Sequence, residues 1–127
     1  MTEGHPFNNR PTYGGTKRAN EHMFRAMHEQ HGLAYVGMRY MNIYGVRMDY
    51  EGTYVSVIMK VLDRIFAGER PVIFGDGSQV YDFIYVADAA DANVLAMQAD
   101  CVDECFNIGM GVGTSIPSAC SKGALHT

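Results

Sequence analysis

At 127 residues the chain is long enough for one modest domain with a real core and too short for two. Its apolar fraction of 47% and charged fraction of 19% are those of an ordinary soluble globular protein. A formal net charge of -4 argues against a surface built to hold nucleic acid phosphates, and no apolar run approaches the length of a membrane span. Met1-Thr2-Glu3-Gly4-His5-Pro6 has no signal-peptide pattern, so the expected address is cytoplasmic, with neither nucleic acid nor membrane as partner.

Residues 1–12, with Pro6, Asn8, Asn9 and Pro11, read as an extended lead-in. From Tyr13 to Gln30 the pattern is helical: Ala19, Met23, Ala26 and Met27 lie on one stripe and charged residues fill the rest. Gly32 is a natural stop. Leu33 to Tyr40 reads as a buried strand, and 42–52 as a loop. Tyr54 to Phe66 is a second predicted helix, closed by Gly68. Pro71 to Phe74 and Val80 to Tyr85 flank Gly75-Asp76-Gly77-Ser78, which predicts a hairpin. Val86 to Ala99 is a third helix and Asp103 to Ile108 a further strand, in which Cys105 is a small buried hydrophobe. Three cysteines without a secretory signal argue against a disulfide framework, and nothing completes a metal site around Cys101 and Cys105. Gly109-x-Gly111-x-Gly113 reads as a loop after the last strand, and residues 114–127 as a tail. Alternating strands and helices predict an α/β fold with a parallel sheet.

Tyr13-Gly14-Gly15-Thr16-Lys17 is the first motif able to carry chemistry. Positions i and i+4 share a helix face, so the phenol and the ammonium can meet. A phenol is a poor base at neutral pH, but a cation about 4 Å away favours the phenolate by about 4 kcal/mol at an effective dielectric near 20. Such a pair can exchange a proton at working pH. The plainer reading is a helix-start tyrosine followed by a solvated lysine.

The surrounding blocks weigh against that plainer reading. Tyr13-Gly14-Gly15-Thr16-Lys17-Arg18-Ala19-Asn20-Glu21 resembles the Tyr-Gly-x-Ser/Thr-Lys-x-x-x-Glu helix of extended short-chain dehydrogenases, the branch of the NAD-dependent epimerases and dehydratases. Thr2-Glu3-Gly4-His5-Pro6 resembles the stretch that precedes it there. Arg39-Tyr40-Met41-Asn42-Ile43-Tyr44-Gly45-Val46-Arg47 is similar to the family's Arg-Tyr-x-Asn-Val-Tyr-Gly-Pro-Arg block. Gly75-Asp76-Gly77-Ser78-Gln79-Val80-Tyr81-Asp82-Phe83 is similar to its Gly-Asp-Gly-x-Gln-x-Arg-Asp-Phe block, and Phe106-Asn107-Ile108-Gly109 matches its Phe-Asn-Ile-Gly. Five blocks in order span residues 2 to about 116, and their conjunction is far more specific than any one of them.

The resemblance implies a partial Rossmann-like fold, with parallel strands, helices and a small hairpin, over residues 1–113, and a non-family tail at 114–127. It implies that Tyr13 is the general acid/base and that Lys17 bonds the nicotinamide ribose of NAD and steadies the phenolate. It places Asn42, Tyr44, Arg47 and Tyr81 beside a nucleotide-sugar substrate. Tyr81 stands where the family has a phosphate-contacting arginine, and a phenol is no bidentate clamp; either Arg47, Lys60 or Arg64 holds the phosphate instead, or the substrate class differs from UDP-hexose. The Gly-x-x-Gly-x-x-Gly turn that meets a dinucleotide pyrophosphate is absent from the sequence, which predicts an incomplete piece of a longer enzyme. The alternative is a catalytically inactive remnant that folds and self-associates. Either way a homo-oligomer is expected, because unpaired sheet edges invite association; the Met23 and Met27 stripe of the first helix fits either a partner's helix or the chain's own sheet.

Overall fold

The structure is a computed structural model that describes residues 2–6, 8, 11–49 and 56–118. In chain order its elements are α1 (Thr12–His31), β1 (Val36–Tyr40), β2 (Asn42–Tyr44), α2 (Val57–Phe66), β3 (Val80–Tyr85), α3 (Val86–Gln98), β4 (Glu104–Ile108) and β5 (Gly113–Ser115). They form an α/β protein made of two compact units, Met1–Tyr40 with Ala90–Ile108, and Met41–Ala89 with Gly109–Thr127.

In the first unit, β1 and β4 pair in parallel, Val36 opposite Glu104 through Tyr40 opposite Ile108. At Gly37 the Cys105 side chain occupies the space a Cβ would need, its Sγ 2.6 Å from that position. Burial there pushes the Cys105 thiol above its ordinary value. Helix α1 starts after Pro11, whose extended backbone and missing N–H suit a helix entrance. It ends at Gly32, left-handed at φ 68°, whose N–H donates to the His28 carbonyl. None of its residues is fully buried. Its hold on the sheet comes from Phe24 stacked on Tyr35 (5.7 Å between centroids) and from ion pairs described below. The predicted stripe faces outward, Met23 being 64% and Met27 45% exposed. On α3, the Asn93 side chain accepts a hydrogen bond from the Tyr40 hydroxyl at 2.7 Å.

The second unit holds the buried apolar residues found among those described: Val61, Ile84, Ala89 and Ile116. Its sheet has the order β2-β3-β5, with β2 parallel and β5 antiparallel to β3. Amphipathic α2 contributes Val61, while its predicted start at Tyr54 lies outside the described residues.

Three sequence expectations change here. Residues 42–44 are a strand and not a loop, because Ile43 pairs with buried Ile84. The predicted hairpin does not form, since residues 71–74 carry no strand. The Asp-Gly turn itself is present, with Gly75 and Gly77 at positive φ and Asp76 Oδ1 accepting both the N–H and hydroxyl of Ser78. Its polar groups close on one another locally, Gln79 donating to the Phe74 carbonyl, and β3 takes its antiparallel partner from far along the chain. That partner, β5, includes Thr114 and Ser115 of the predicted tail, and Ile116 beyond it is buried, so the folded part runs at least that far. Residues 119–127 of the tail, with Cys120, lie outside the described residues.

Candidate functional site

Two groups of candidate residues emerge, one in each unit. In the first, the opening turns of α1 carry Tyr13 and Lys17. The phenol is 70% exposed, and Lys17 Nζ stands 5.2 Å from the centroid of its ring. The i, i+4 spacing thus brings ammonium and ring together on one face, a cation–π contact. Thr16 donates its hydroxyl to the Tyr13 carbonyl at 2.8 Å and closes the turn on itself. Gly15 has open space where a Cβ would go, so nothing steric requires glycine there. It leaves the first turn weak, since each helical glycine costs about 1 kcal/mol relative to alanine. An exposed phenol beside a primary ammonium offers a proton donor or acceptor next to three N–H donors able to hold hydroxyl oxygens.

One turn beyond Lys17, Glu21 meets Arg39 of β1 in a two-pronged pair: Nε to Oε1 at 2.8 Å and Nη2 to Oε2 at 2.7 Å. Arg39 Nη1 also donates to the Glu3 carbonyl of the lead-in, while the Glu3 carboxylate accepts the Asn107 N–H of β4. The Arg39 fork holds the Glu21 carboxyl below its ordinary 4.5, against the opposing effect of burial. A carboxyl depressed on folding stabilises the fold fully above its unfolded value, and that contribution fades as pH falls through the folded value. Glu21→Gln is therefore expected to flatten the decline in stability below about pH 4.5. Urea melts of both proteins from pH 7 to pH 3 check this, and parallel pH profiles would refute it. A second anchor joins Arg25 to Asp103 at 3.3 Å, with the Tyr35 hydroxyl donating to the same oxygen at 2.6 Å. That bond chiefly holds the Asp103 carboxyl low and raises the Tyr35 phenol.

In the second unit, pairing of Asn42 with Phe83 and of Tyr44 with Tyr85 places the alternate residues Tyr81, Phe83 and Tyr85 on the same sheet face as Asn42 and Tyr44. Their rings form a continuous row: Tyr81 stacked on Phe83 at 5.8 Å, Phe83 edge-on to Tyr44 at 6.4 Å, Tyr44 tilted on Tyr85 at 5.6 Å. Asn42 donates to the Asp82 carbonyl, serving the neighbouring strand instead of its own backbone. Arg47 is exposed in the turn after β2 with φ 62°, a conformation uncommon for a residue with a Cβ. Of the other cations considered for phosphate, Lys60 is exposed on α2, while Arg64 is occupied by Glu69 at 3.0 Å and by the Arg70 carbonyl.

The sequence reading missed Phe83 and Tyr85, although the Tyr81-x-Phe83-x-Tyr85 alternation signals them. It also missed Asp82, which points the other way. The Asp82 carboxylate accepts the Met110 N–H at 2.8 Å and the Gly111 N–H at 2.9 Å. Gly109 makes room for it, because a Cβ there would lie 2.6 Å from Oδ2. The glycine-rich loop is thus a backbone nest filled by the chain's own carboxylate. With the Asp82 carboxylate seated in it, this loop offers no open cradle to a pyrophosphate.

Residues 1–109 match the NAD dependent epimerase/dehydratase family, and the chain belongs to it. A putative UDP-glucose 4-epimerase of Methanocaldococcus jannaschii is 39% identical over 116 residues, 91% of this chain and 37% of that protein. Among solved structures, a UDP-N-acetylglucosamine 4-epimerase from Methanobrevibacter ruminantium M1, in complex with UDP-N-acetylmuramic acid, superposes with a TM-score of 0.91 at 35% identity. That match takes in 100% of this chain and 41% of the other. A UDP-glucose 4-epimerase from Thermotoga maritima with UDP-glucose gives a TM-score of 0.82 at 38% identity, over 92% of this chain and 36% of that one. The chain thus spans about two fifths of the length of these relatives.

Proposed function

We propose that these residues serve an NAD-dependent epimerase or dehydratase acting on a nucleotide sugar, with Tyr13 as its general acid/base. The observation that carries the reading is the Lys17 ammonium 5.2 Å from the exposed Tyr13 ring, in a chain of this family. In this reading Tyr13 takes a proton from a sugar hydroxyl and returns it in the reverse step. Lys17 holds a ribose hydroxyl of the cofactor and steadies the charge on the phenol oxygen. NAD, when bound, supplies a hydride acceptor. Asn42, Tyr44, Arg47 and Tyr81 hold the substrate, whose class is supported by the UDP-sugars named for the relatives. With Tyr81 in place of an arginine, the phosphates fall to Arg47 or Lys60. The pyrophosphate cradle, and the rest of the activity, reside on polypeptide outside these residues. The protein acts in the cytoplasm.

Titration with NAD tests whether these residues hold the cofactor by themselves. A site filled at one hundred times its dissociation constant stabilises the fold by about 2.7 kcal/mol, a clear upward shift in melting temperature. No shift at millimolar NAD would sink cofactor binding by these 127 residues alone. Sedimentation of the same samples reads the proposed self-association through Met23 and Met27, and a monomer at high concentration contradicts it.

A further inference from the structure

Helix α1 has no fully buried residue, no side-chain cap at its start and a glycine pair in its first turn. Apolar packing therefore does not set the position of Tyr13 and Lys17. Among the contacts described above, those of Arg39 reach both sides of that pair, whereas the Arg25–Asp103 anchor lies two turns farther along the helix. Arg39 grips Glu21, four residues after Lys17, through Nε and Nη2, and reaches Glu3 of the lead-in through Nη1. Its contacts thus bracket the segment that carries the Tyr13–Lys17 pair, one on each side in sequence. Tyr13, Lys17 and Glu21 follow one another at i, i+4 and i+8 along one flank of the helix, so rotation of α1 at Glu21 moves the pair directly.

We propose that Arg39 is the positioning residue of the Tyr13–Lys17 pair, acting through its fork to Glu21 and its bond to the lead-in. A lysine in its place keeps the charge and cannot make the two-pronged contact, because an ammonium is a point donor and a guanidinium a planar fork. Strand β1 supplies the rigid base, since Arg39 lies opposite Asn107 in the parallel ladder and Asn107 donates its N–H to Glu3. The lead-in, the helix and the sheet are thereby tied at one point. The inference rests on the proposed role of Tyr13 and Lys17 for its meaning, and its test requires neither cofactor nor turnover.

The test is NMR of the full chain with labelled lysine and tyrosine. In the wild type, the Lys17 ε-methylene carries a ring-current shift from Tyr13. In Arg39→Lys that shift is expected to collapse toward the value of an exposed lysine. Exchange of the Thr16 to Asn20 amides accelerates about fivefold relative to those of α2, the change expected from losing one charge-assisted contact. The Phe24–Tyr35 ring contact persists, and the charge swap Glu21→Arg with Arg39→Glu recovers the Lys17 shift. Should Arg39→Lys fail to fold, Glu21→Gln carries the same readout. A Lys17 shift unchanged in either folded variant overturns the proposal. So does its loss together with the Phe24–Tyr35 contact, which would mean that α1 as a whole had come loose. Absence of NAD binding would bear on the proposed function alone.

Discussion

With Tyr13 as the proposed acid/base, Tyr13→Phe is expected to lower turnover of a nucleotide sugar by the complete enzyme by about 10² to 10⁴-fold, the usual contribution of a positioned acid/base, while the melting temperature stays where it was. The separation of the two effects follows from the position of the side chain. Tyr13 is 70% exposed, so removing its hydroxyl leaves no buried group without a partner. The phenylalanine ring keeps the face over which the Lys17 ammonium stands, and the cation–π contact survives the exchange. Only the exchangeable proton is lost. Turnover and melting are measured on the same preparation. A variant that keeps full turnover removes Tyr13 from the chemistry; one that loses stability in parallel shows the tyrosine to be structural.

Gly45→Ala is expected to destabilise the second unit by about 2 to 5 kcal/mol, combining an unfavourable backbone with a crowded site. Gly45 has φ 146°, a region that residues with a Cβ rarely enter. A Cβ there would stand 2.5 Å from Val86 Cγ1 and 3.0 Å from a ring carbon of Tyr85. Val86 opens α3 and Tyr85 ends β3, so both neighbours are held by regular elements on either side. Against a typical total stability of about 5–15 kcal/mol, such a loss is enough to unfold a marginal protein. Chemical denaturation of the single variant checks the magnitude, and the double variant with Val86→Ala checks the cause. The added Val86→Ala relieves the crowding and not the backbone, so the double variant recovers part of the loss, and the non-additivity measures the contact. A loss in Gly45→Ala below about 1 kcal/mol would be incompatible with this backbone geometry.

Legibility in the sequence tracked how local each determinant is. The 3.6-residue period and the Gly32 stop located α1, and the same pitch put Lys17 over Tyr13. Both need only neighbouring residues. The aromatic alternation at Tyr81, Phe83 and Tyr85 is equally local, yet by itself it marks only a strand; that Asn42 and Tyr44 share its face depends on the pairing of β2 with β3. Three residues cannot show a period of two, so β2 and β5 were invisible until the chain folded. The hairpin expectation failed for the complementary reason. An Asp-Gly turn forms from its own side chains whether or not the residues before it pair as a strand.

By itself, the sequence determined the helices, the parallel α/β character, the family and the closeness of Lys17 to Tyr13, because these follow from short-range periodicity and from motifs in fixed order. Only the tertiary structure decided which groups support them. The Arg39 fork on Glu21, the Asp82 carboxylate seated in the Met110–Gly111 nest, and the close approach of Gly45 to Val86 each join residues far apart in the chain. A hydrogen bond or a steric contact of that kind depends on positions that the backbone reaches only after the sheet has assembled, and no local pattern encodes it.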